Sequence, residues 1–507
     1  MKEKRKKNKH RPIAIAVWSA VFGILFLAAV AAYSVCAWYQ KTFDLEFKDL
    51  LYTLASPLKG TGESTMAEVR GVILPRVYTY GVLYVICALI VSQRGRLWKT
   101  LRRIGAAFCA LVLVLSLIFA AKALRLPAYI KALTEKTTIY EDHYVDPNKV
   151  AITSDGKTKN LIYIYLESME TTYASSTIGG KQTDGNYMPL MTALAQQNVS
   201  FSDKASGELG GFRCPIGTGW TMAALLSTSS GIPFSFPLGE GGNNKMGERE
   251  YFASGLTTLG DILEKEGYVQ EFLCGSDANF GGRRDYFVQH GNYRIFDYYT
   301  ALEKGYVTEH NGWWGFDDTT LYQIAKDELR ALADSDQPFN FTMLTVDTHH
   351  VDGYRCSLCG YEYGDAEAGE ELLKNVVSCA DRQLASFVAW IQEQDFYKDC
   401  VVIITGDHPR MDTTLIGETE YFDRTIYNCF LNAAPTVDET LLERRNWTSF
   451  DMFPTTLAAM GFVIEENRLG LGVDLFSGEP TLAEQYGFWY VNNEVAKFSD
   501  YYILKFS

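Results

Sequence analysis

Several familiar signatures are missing from this chain of 507 residues. It has no Walker-type loop, so a P-loop nucleotide site is excluded, and Gly470-Leu471-Gly472 alone is too little for a dinucleotide loop. No internal repeat or low-complexity tract stands out, which argues against solenoids and disordered tails. Histidine is scarce, with seven in all. Basic charge is scarce beyond residue 126, where 28 Lys and Arg face 55 Asp and Glu. A surface so acidic repels a phosphate backbone and argues against a nucleic-acid partner. The first 126 residues reverse the balance, with 19 basic side chains against 6 acidic ones.

Long apolar runs are abundant at the N-terminal end. Three, at about 13–38, 73–92 and 104–124, reach the roughly 20 residues a bilayer crossing takes. The first is too long for the core of a cleaved signal peptide and ends in Ala37-Trp38-Tyr39 without a convincing cleavage site, so it reads as a retained helix. Lys2, Lys4, Arg5, Lys6, Lys7, Lys9 and Arg11 precede it, and Arg94, Arg96, Lys99, Arg102 and Arg103 follow the second run. Basic residues stay on the cytoplasmic side, so the third run exits outward. The expected layout is a transmembrane anchor over 1–125, a polar linker over 126–158 and an extracytoplasmic domain over 159–507. In the loop between runs one and two, residues 50–55 form an apolar stretch suited to the membrane surface.

Ten cysteines fit that placement. Cys36, Cys87 and Cys109 fall in the apolar runs. Cys214, Cys274, Cys356, Cys359, Cys379, Cys400 and Cys429 follow them. Cys356 and Cys359 have the spacing of half a zinc site, but outside the cytoplasm a disulfide is favoured, with Cys379 available as a partner.

From residue 160 the pattern is apolar strand, glycine-containing loop, helix, repeated. Strands are expected at 160–166, 268–274, 340–346 and 400–405, and helices at about 187–197, 221–229, 255–266, 317–334, 368–394 and 450–460. Strands alternating with helices imply an α/β domain with a mainly parallel sheet. In such sheets ligands bind beyond the carboxyl ends of the strands. Two strands end in metal-type residues there: the first runs into Glu167, the last into Gly406, Asp407 and His408. Carboxylates with an imidazole suit a divalent cation.

Other polar residues gather at similar places. Thr221 follows the glycine-rich stretch 207–219 at a helix start, where free N–H groups and the macrodipole favour an anion. It is a good N-cap, and its hydroxyl is a nucleophile only when activated, as metal coordination can do; Thr218 is the alternative. The third strand leads to Asp347, Thr348, His349 and His350, where a neutral histidine can meet a phosphate or a leaving alkoxide. The second leads to Gly275, Ser276 and Asp277, with Arg283, Arg284 and Asp285 beyond; an arginine fork suits a phosphate, and one of the two arginines is expected to be an ordinary surface charge.

Taken together, residues 158–480 resemble the exterior catalytic domain of the phosphoglycerol transferases. That group includes the lipoteichoic acid synthases and the enzymes that decorate membrane-derived oligosaccharides, in the sulfatase-like branch of the alkaline phosphatase superfamily. The resemblance rests on Leu166-Glu167-Ser168, Gly219-Trp220-Thr221, Arg284-Asp285, Thr348-His349 and Gly406-Asp407-His408, in the family's order. Asp451-Met452-Phe453-Pro454-Thr455-Thr456 also resembles the family's D-x-x-P-T helix. Trp220-Thr221 and Asp347-Thr348-His349-His350 are most similar to the oligosaccharide-decorating members.

The resemblance implies a three-helix anchor before a sulfatase-like α/β domain. It implies one divalent metal, Mn²⁺ with Mg²⁺ or Zn²⁺ as alternatives, on Glu167, Thr221, Asp407 and His408. Thr221 would be the nucleophile, His349 would serve the phosphate or leaving group, and Arg284 and Asp277 would hold the glycerol phosphate. The implied reaction moves glycerol phosphate from phosphatidylglycerol to a glycan or polyglycerolphosphate acceptor. Gly281-Gly282 departs from the aromatic that lipoteichoic acid synthases carry before the arginine, and Val351 from a common proline. A phosphoethanolamine transferase or a sulfatase is the alternative, although Cys214-Pro215 does not match the Cys/Ser-x-Pro-x-Arg setting that formylglycine needs. A non-catalytic receptor would have no need of all four ligand residues.

Overall fold

The computed structural model describes residues 11–42, 63–91, 96–154, 156–205, 207–236, 252–417 and 419–506, with isolated positions 47 and 51. The basic residues at 2–9, Arg94 and most of the 50–55 stretch lie outside the described residues. The chain divides into two units, residues 1–43 with 63–130, and residues 44–62 with 131–507.

The first unit consists of α1 (Arg11–Thr42), α2 (Glu63–Val91) and α3 (Arg96–Ala123). Their stretches Ala16–Gln40, Arg70–Ile90 and Leu97–Ala123 are long and apolar enough to cross a membrane. The contact of α1 with α2 is built around Gly23, where a Cβ would sit 2.6 Å from the Tyr84 ring. The missing side chain lets Tyr84 lie against α1, donate its hydroxyl to the Ser19 carbonyl at 2.6 Å and stack on Phe26. Leu74, Leu89, Phe108, Leu115 and Leu117 stay exposed. Such outward apolar surface suits hydrocarbon better than water.

The second unit is built on a six-stranded sheet. Its strands are β1 (Asn160–Leu166), β2 (Val269–Cys274), β3 (Arg294–Phe296), β4 (Phe339–Leu344), β5 (Cys400–Gly406) and β6 (Asn428–Leu431). Their spatial order is β3-β2-β4-β1-β5-β6, parallel except for the antiparallel edge β6. The four strands expected from apolar runs form the centre. The two edge strands are short, and Arg294 keeps β3 from reading as an apolar run.

Helices cover both faces: α4 (Pro189–Gln197), α5 (Thr221–Ser230), α6 (Leu259–Lys265), α7 (Asp318–Ala333), α8 (Glu370–Gln392) and α9 (Met452–Met460). Alternation along β1 divides the packing. Ile162, Ile164 and Leu166 join Phe341, Met343, Val402 and Ile404 in the core shared with α4, α7 and α8. Tyr165 points the other way and hydrogen-bonds Thr228 of α5 at 2.8 Å. β1 and β5 are buried along nearly their whole length, which explains their continuous apolar sequence.

Residues 135–154, polar in sequence, carry ordered structure. Ile139 and Tyr140 are each 1% exposed. Ile152–Thr153 pair antiparallel with Val463–Ile464. Tyr140 packs edge-on to Tyr502, an aromatic anchor that the polar composition around it hides.

Candidate metal and nucleophile site

The register of the sheet brings the first two candidates together. Leu166 of β1 pairs with Gly406 of β5. The next residues, Glu167 and Asp407, therefore leave two neighbouring parallel strands side by side at their carboxyl ends. The Asp407 amide donates to the Leu166 carbonyl at 3.2 Å, extending the ladder by one bond. The Glu167 amide donates to Thr345 Oγ1 at 2.9 Å, and Thr348 Oγ1 donates to the Glu167 carbonyl. The loop after β4 is thus tied to the end of β1. Ser168 takes a positive φ of 52°, a conformation that costs energy for a residue with a Cβ. There its amide donates to Asp407 Oδ1 at 2.8 Å and its hydroxyl to Glu167 Oε1 at 2.7 Å.

His408 completes the acidic pair. Its Nδ1 donates to the Pro409 carbonyl at 2.8 Å, which leaves the Nε2 lone pair for the site. Nε2 lies 3.3 Å from Asp407 Oδ2 and 3.6 Å from Glu167 Oε1. Ligand atoms of Glu167, Asp407 and His408 all fall within 4.8 Å of one another, and all three residues are buried. Asp407 Oδ2 has no hydrogen-bond partner among the described residues, although the residue is fully buried.

Thr221 is the first residue of α5, after the extended Trp220. Its hydroxyl is not used to cap the helix. Oγ1 lies 3.4 Å from Glu167 Oε2, to which it donates, and 3.4 Å from His408 Nε2. Thr218, the alternative, is fully buried and donates to the Pro215 carbonyl at 2.8 Å.

The electrostatics match a place prepared for positive charge. Burial, with Glu167 adding to it, pushes the Asp407 carboxyl up to about 7. Burial acts on Glu167 the same way, but His349, His408 and hydrogen bonds from Ser168 and Thr221 outweigh it and hold the group below its usual range. Burial opposes charge on His408, and Asp407 and Glu167 overcome it, so the imidazole is raised. The donor set is two carboxylates, one imidazole and one hydroxyl, with an orphaned buried oxygen. It fits a divalent cation.

His349 lies beside this cluster, half-buried, with its ring 4.7 Å from Trp314 and 6.4 Å from Trp313. Its Nδ1 hydrogen-bonds the His350 carbonyl. Burial lowers its pKa, partly offset by Glu167, so it favours the neutral form. Arg284 and Asp277 make their bonds elsewhere. Arg284 donates to buried Asp297 at 2.6 Å, and Asp277 accepts from the Asn279 amide at 2.9 Å. The turn between them still borders the nucleophile, since a Cβ added at Gly281 would lie 3.8 Å from Met222 and 4.0 Å from Trp220, the residues on either side of Thr221. Arg283 is not a surface charge: it is buried and donates to Ser276 Oγ and the Asp277 carbonyl at 3.0 and 2.9 Å.

Sequence reasoning missed the support behind the site. Glu170, three residues after Glu167, is fully buried and accepts from Arg424 Nε at 2.8 Å and from the Arg410 amide at 3.1 Å. Arg410 Nη1 donates to the Thr348 carbonyl at 2.6 Å, and its Nε to Asp412 at 2.8 Å. This network fastens the loop after β5 to the loops after β1 and β4. Its one signal in the sequence is Arg410, two residues beyond His408.

The comparisons with known proteins bear on the family and the fold. The chain is 30% identical over 437 residues to phosphoglycerol transferase I of Salmonella arizonae, covering 85% of this chain and 53% of that protein. It is 29% identical over 370 residues to phosphoglycerol transferase I of Xanthomonas axonopodis pv. citri, covering 72% and 49%. The chain thus spans about half the length of the curated relatives it matches. Among solved structures, the integral membrane lipooligosaccharide phosphoethanolamine transferase A of Neisseria meningitidis superposes with a TM-score of 0.51 at 15% identity, covering 88% of this chain and 84% of that one. That likeness speaks for the fold. The sequence profile of the sulfatase family matches residues 159–462, a span that holds all six strands of the sheet and the helices that cover it, and the chain belongs to that family.

Proposed function

We propose that this protein is a membrane-anchored, metal-dependent phosphoglycerol transferase, working outside the cytoplasm through a phospho-threonine intermediate. The observation that carries the reading is the Thr221 hydroxyl, 3.4 Å from both a Glu167 carboxylate oxygen and His408 Nε2 at the start of a buried helix. Glu167, Asp407, His408 and Thr221 would hold one divalent cation, Mn²⁺ by the resemblance to the phosphoglycerol transferases, with a donor set that also suits Zn²⁺. When bound, such a cation supplies the Lewis acidity that makes an alcohol reactive at neutral pH.

The chain's own residues account for the rest. Thr221 Oγ1 attacks the phosphorus of phosphatidylglycerol; the new P–O bond forms as the bond to diacylglycerol breaks. The proton lost by Thr221 ends on the departing diacylglycerol oxygen. An acceptor hydroxyl on a glycan or polyglycerolphosphate then attacks the glycerophospho-threonine. Its proton ends on Thr221 Oγ1. His349, neutral and holding Nδ1 on a carbonyl, presents Nε2 to relay these protons. Asp277 and Arg284, on either side of the Gly281 turn beside Trp220, hold the glycerol phosphate. Two displacements replace one difficult transfer, and ping-pong kinetics follow. The apolar helices keep the enzyme where its lipid donor is.

The test incubates the full-length protein in detergent with fluorescent phosphatidylglycerol and Mn²⁺. Diacylglycerol release and a glycerophosphoryl adduct on Thr221 are expected. Undiminished turnover by Thr221→Ala rejects the mechanism. Transfer from phosphatidylethanolamine in place of phosphatidylglycerol assigns the protein to the phosphoethanolamine transferases instead.

A further inference from the structure

A second group of metal-type side chains lies away from the strand ends. Cys356 and Cys359 follow the His349 loop, and Cys379 projects from the middle of α8. All three are buried, and their sulfurs lie within 4.8 Å of one another. Cys356 Sγ is 3.5 Å from Cys359 Sγ and 3.7 Å from Cys379 Sγ. A disulfide, which the sequence favours here, needs sulfurs about 2.05 Å apart. Two sulfurs on a tetrahedral Zn²⁺ at the usual metal–sulfur distance of about 2.3 Å stand about 3.8 Å apart. The observed separations match the edge of such a tetrahedron.

The surroundings point the same way. Gln383 Nε2 donates toward Cys379 Sγ at 3.4 Å and Cys356 Sγ at 3.6 Å, the contact an amide makes with thiolate sulfur. Buried Asp347 has no hydrogen-bond partner for either carboxylate oxygen among the described residues, and after burial the charges of Asp318 and Cys356 both oppose its own, so negative charge gathers here without a balancing cation among the described side chains. Cys379 and Gln383 line a groove of about 360 Å³ with Thr319, Gln323 and Leu358, which gives an ion and a fourth ligand a way in.

We infer that Cys356, Cys359 and Cys379 form a second, thiolate metal site that takes a thiophilic divalent ion, Zn²⁺. It is separate from the strand-end cluster and stands whether or not the transferase reading holds. Its place in the fold indicates its work. Gly353, at φ 82°, brings the loop so close to α8 that a Cβ would lie 2.9 Å from Val376. Tyr354 packs on the three cysteines and stacks on Trp313, which in turn meets His349. A metal at the sulfurs fastens the His349 loop to α8.

The experiment uses the full-length His408→Ala protein, purified in detergent, so that the strand-end cluster contributes no metal. Titration with an organomercurial in the presence of a chromophoric zinc chelator is expected to release one Zn²⁺ per chain, in step with the blocking of Cys356, Cys359 and Cys379 as followed by mass mapping. Replacement by Co²⁺ is expected to give sulfur-to-metal charge-transfer bands, absent in Cys356→Ser. Should Cys356→Ser fail to fold, Cys359→His decides: it keeps one Zn²⁺ and weakens the bands. Mass mapping that finds a disulfide among the three cysteines overturns the inference. So do three free thiols without released Zn²⁺.

Discussion

Glu170 and the pair Glu167–Asp407 solve the same problem in opposite ways. All three carboxylates are almost fully buried, within a few residues of the same strand ends. Burying an unpaired charge is costly. Glu170 meets that cost from within the chain, because Arg424 grips both of its oxygens and the Arg410 amide adds a third bond. Among the described residues, Glu167 and Asp407 have no arginine or lysine ion partner. His408 Nε2 is shared between them at 3.3–3.6 Å, and Asp407 Oδ2 is left without a hydrogen bond among the described residues. An internally balanced acid is architecture. An unbalanced one, beside a hydroxyl and an imidazole lone pair, is a place kept for something that binds.

Breaking each side of this comparison should give different failures. The largest effect is expected at Thr221: Thr221→Ala should cut diacylglycerol release by about 10³-fold or more, since a nucleophile acts as a unit with its surroundings. Its melting temperature should stay near wild type, because the half-buried hydroxyl caps nothing. Arg424→Met should fail by unfolding. Removing one partner of a buried ion pair costs about 3–5 kcal/mol, and urea titration should show it. Asp407→Asn should do the reverse: the metal-free protein should gain stability as an unbalanced charge disappears, while Mn²⁺ no longer raises its melting temperature. A metal-free Asp407→Asn protein less stable than metal-free wild type would show that the two acidic clusters are not different in kind.

Legibility followed the same divide. β1, β2, β4 and β5 announce themselves as buried apolar runs, and the polar residue ending a run is conspicuous, so Glu167, Asp407 and His408 could be picked out before any coordinates. Their meeting depends on β1 lying beside β5, a pairing across about 240 positions that no local pattern encodes. Arg424 and Glu170 look like any surface charges, because sequence carries no mark of burial for a charged residue in a loop, and only the nearness of Arg410 to His408 hints at the network. The edge strands Arg294–Phe296 and Asn428–Leu431 are too short to show a period. Cys379 sits mid-helix, and only the fold of the Gly353 loop against α8 brings Cys356 and Cys359 to it.

Metal removal measures how far the strand-end cluster depends on an external cation. Chelation should lower the melting temperature of wild type, and Mn²⁺ at about 100 times its dissociation constant should restore about 2.7 kcal/mol. Arg424 leaves Glu170 no such need, so the shift should vanish in Asp407→Asn and persist in variants remote from the cluster. A shift of equal size in Asp407→Asn would place the stabilising ion elsewhere, with the three cysteines as the first place to look.

Asp451 supplies a third solution and the smallest test. It is buried near the start of α9 and accepts from the Thr448 and Val473 amides at 2.8 and 2.9 Å and from the Thr448 hydroxyl at 3.3 Å, with no arginine on its oxygens among the described residues. Burial outweighs these bonds and pushes the carboxyl up to about 7. An acid raised in the folded state binds more protons there than in the unfolded chain, so its contribution is full below the ordinary carboxylate range and is lost as pH rises toward 7. Wild type should therefore be more stable near pH 5 than near pH 8. Asp451→Asn keeps an acceptor oxygen and cannot ionise, so it should reduce that difference by about 1 kcal/mol, read from urea midpoints at the two pH values in the presence of chelator. An unchanged difference would mean that two backbone amides and a hydroxyl balance a buried carboxylate as fully as Arg424 balances Glu170, and the missing partner at Asp407 would then lose its meaning as a mark of a binding site.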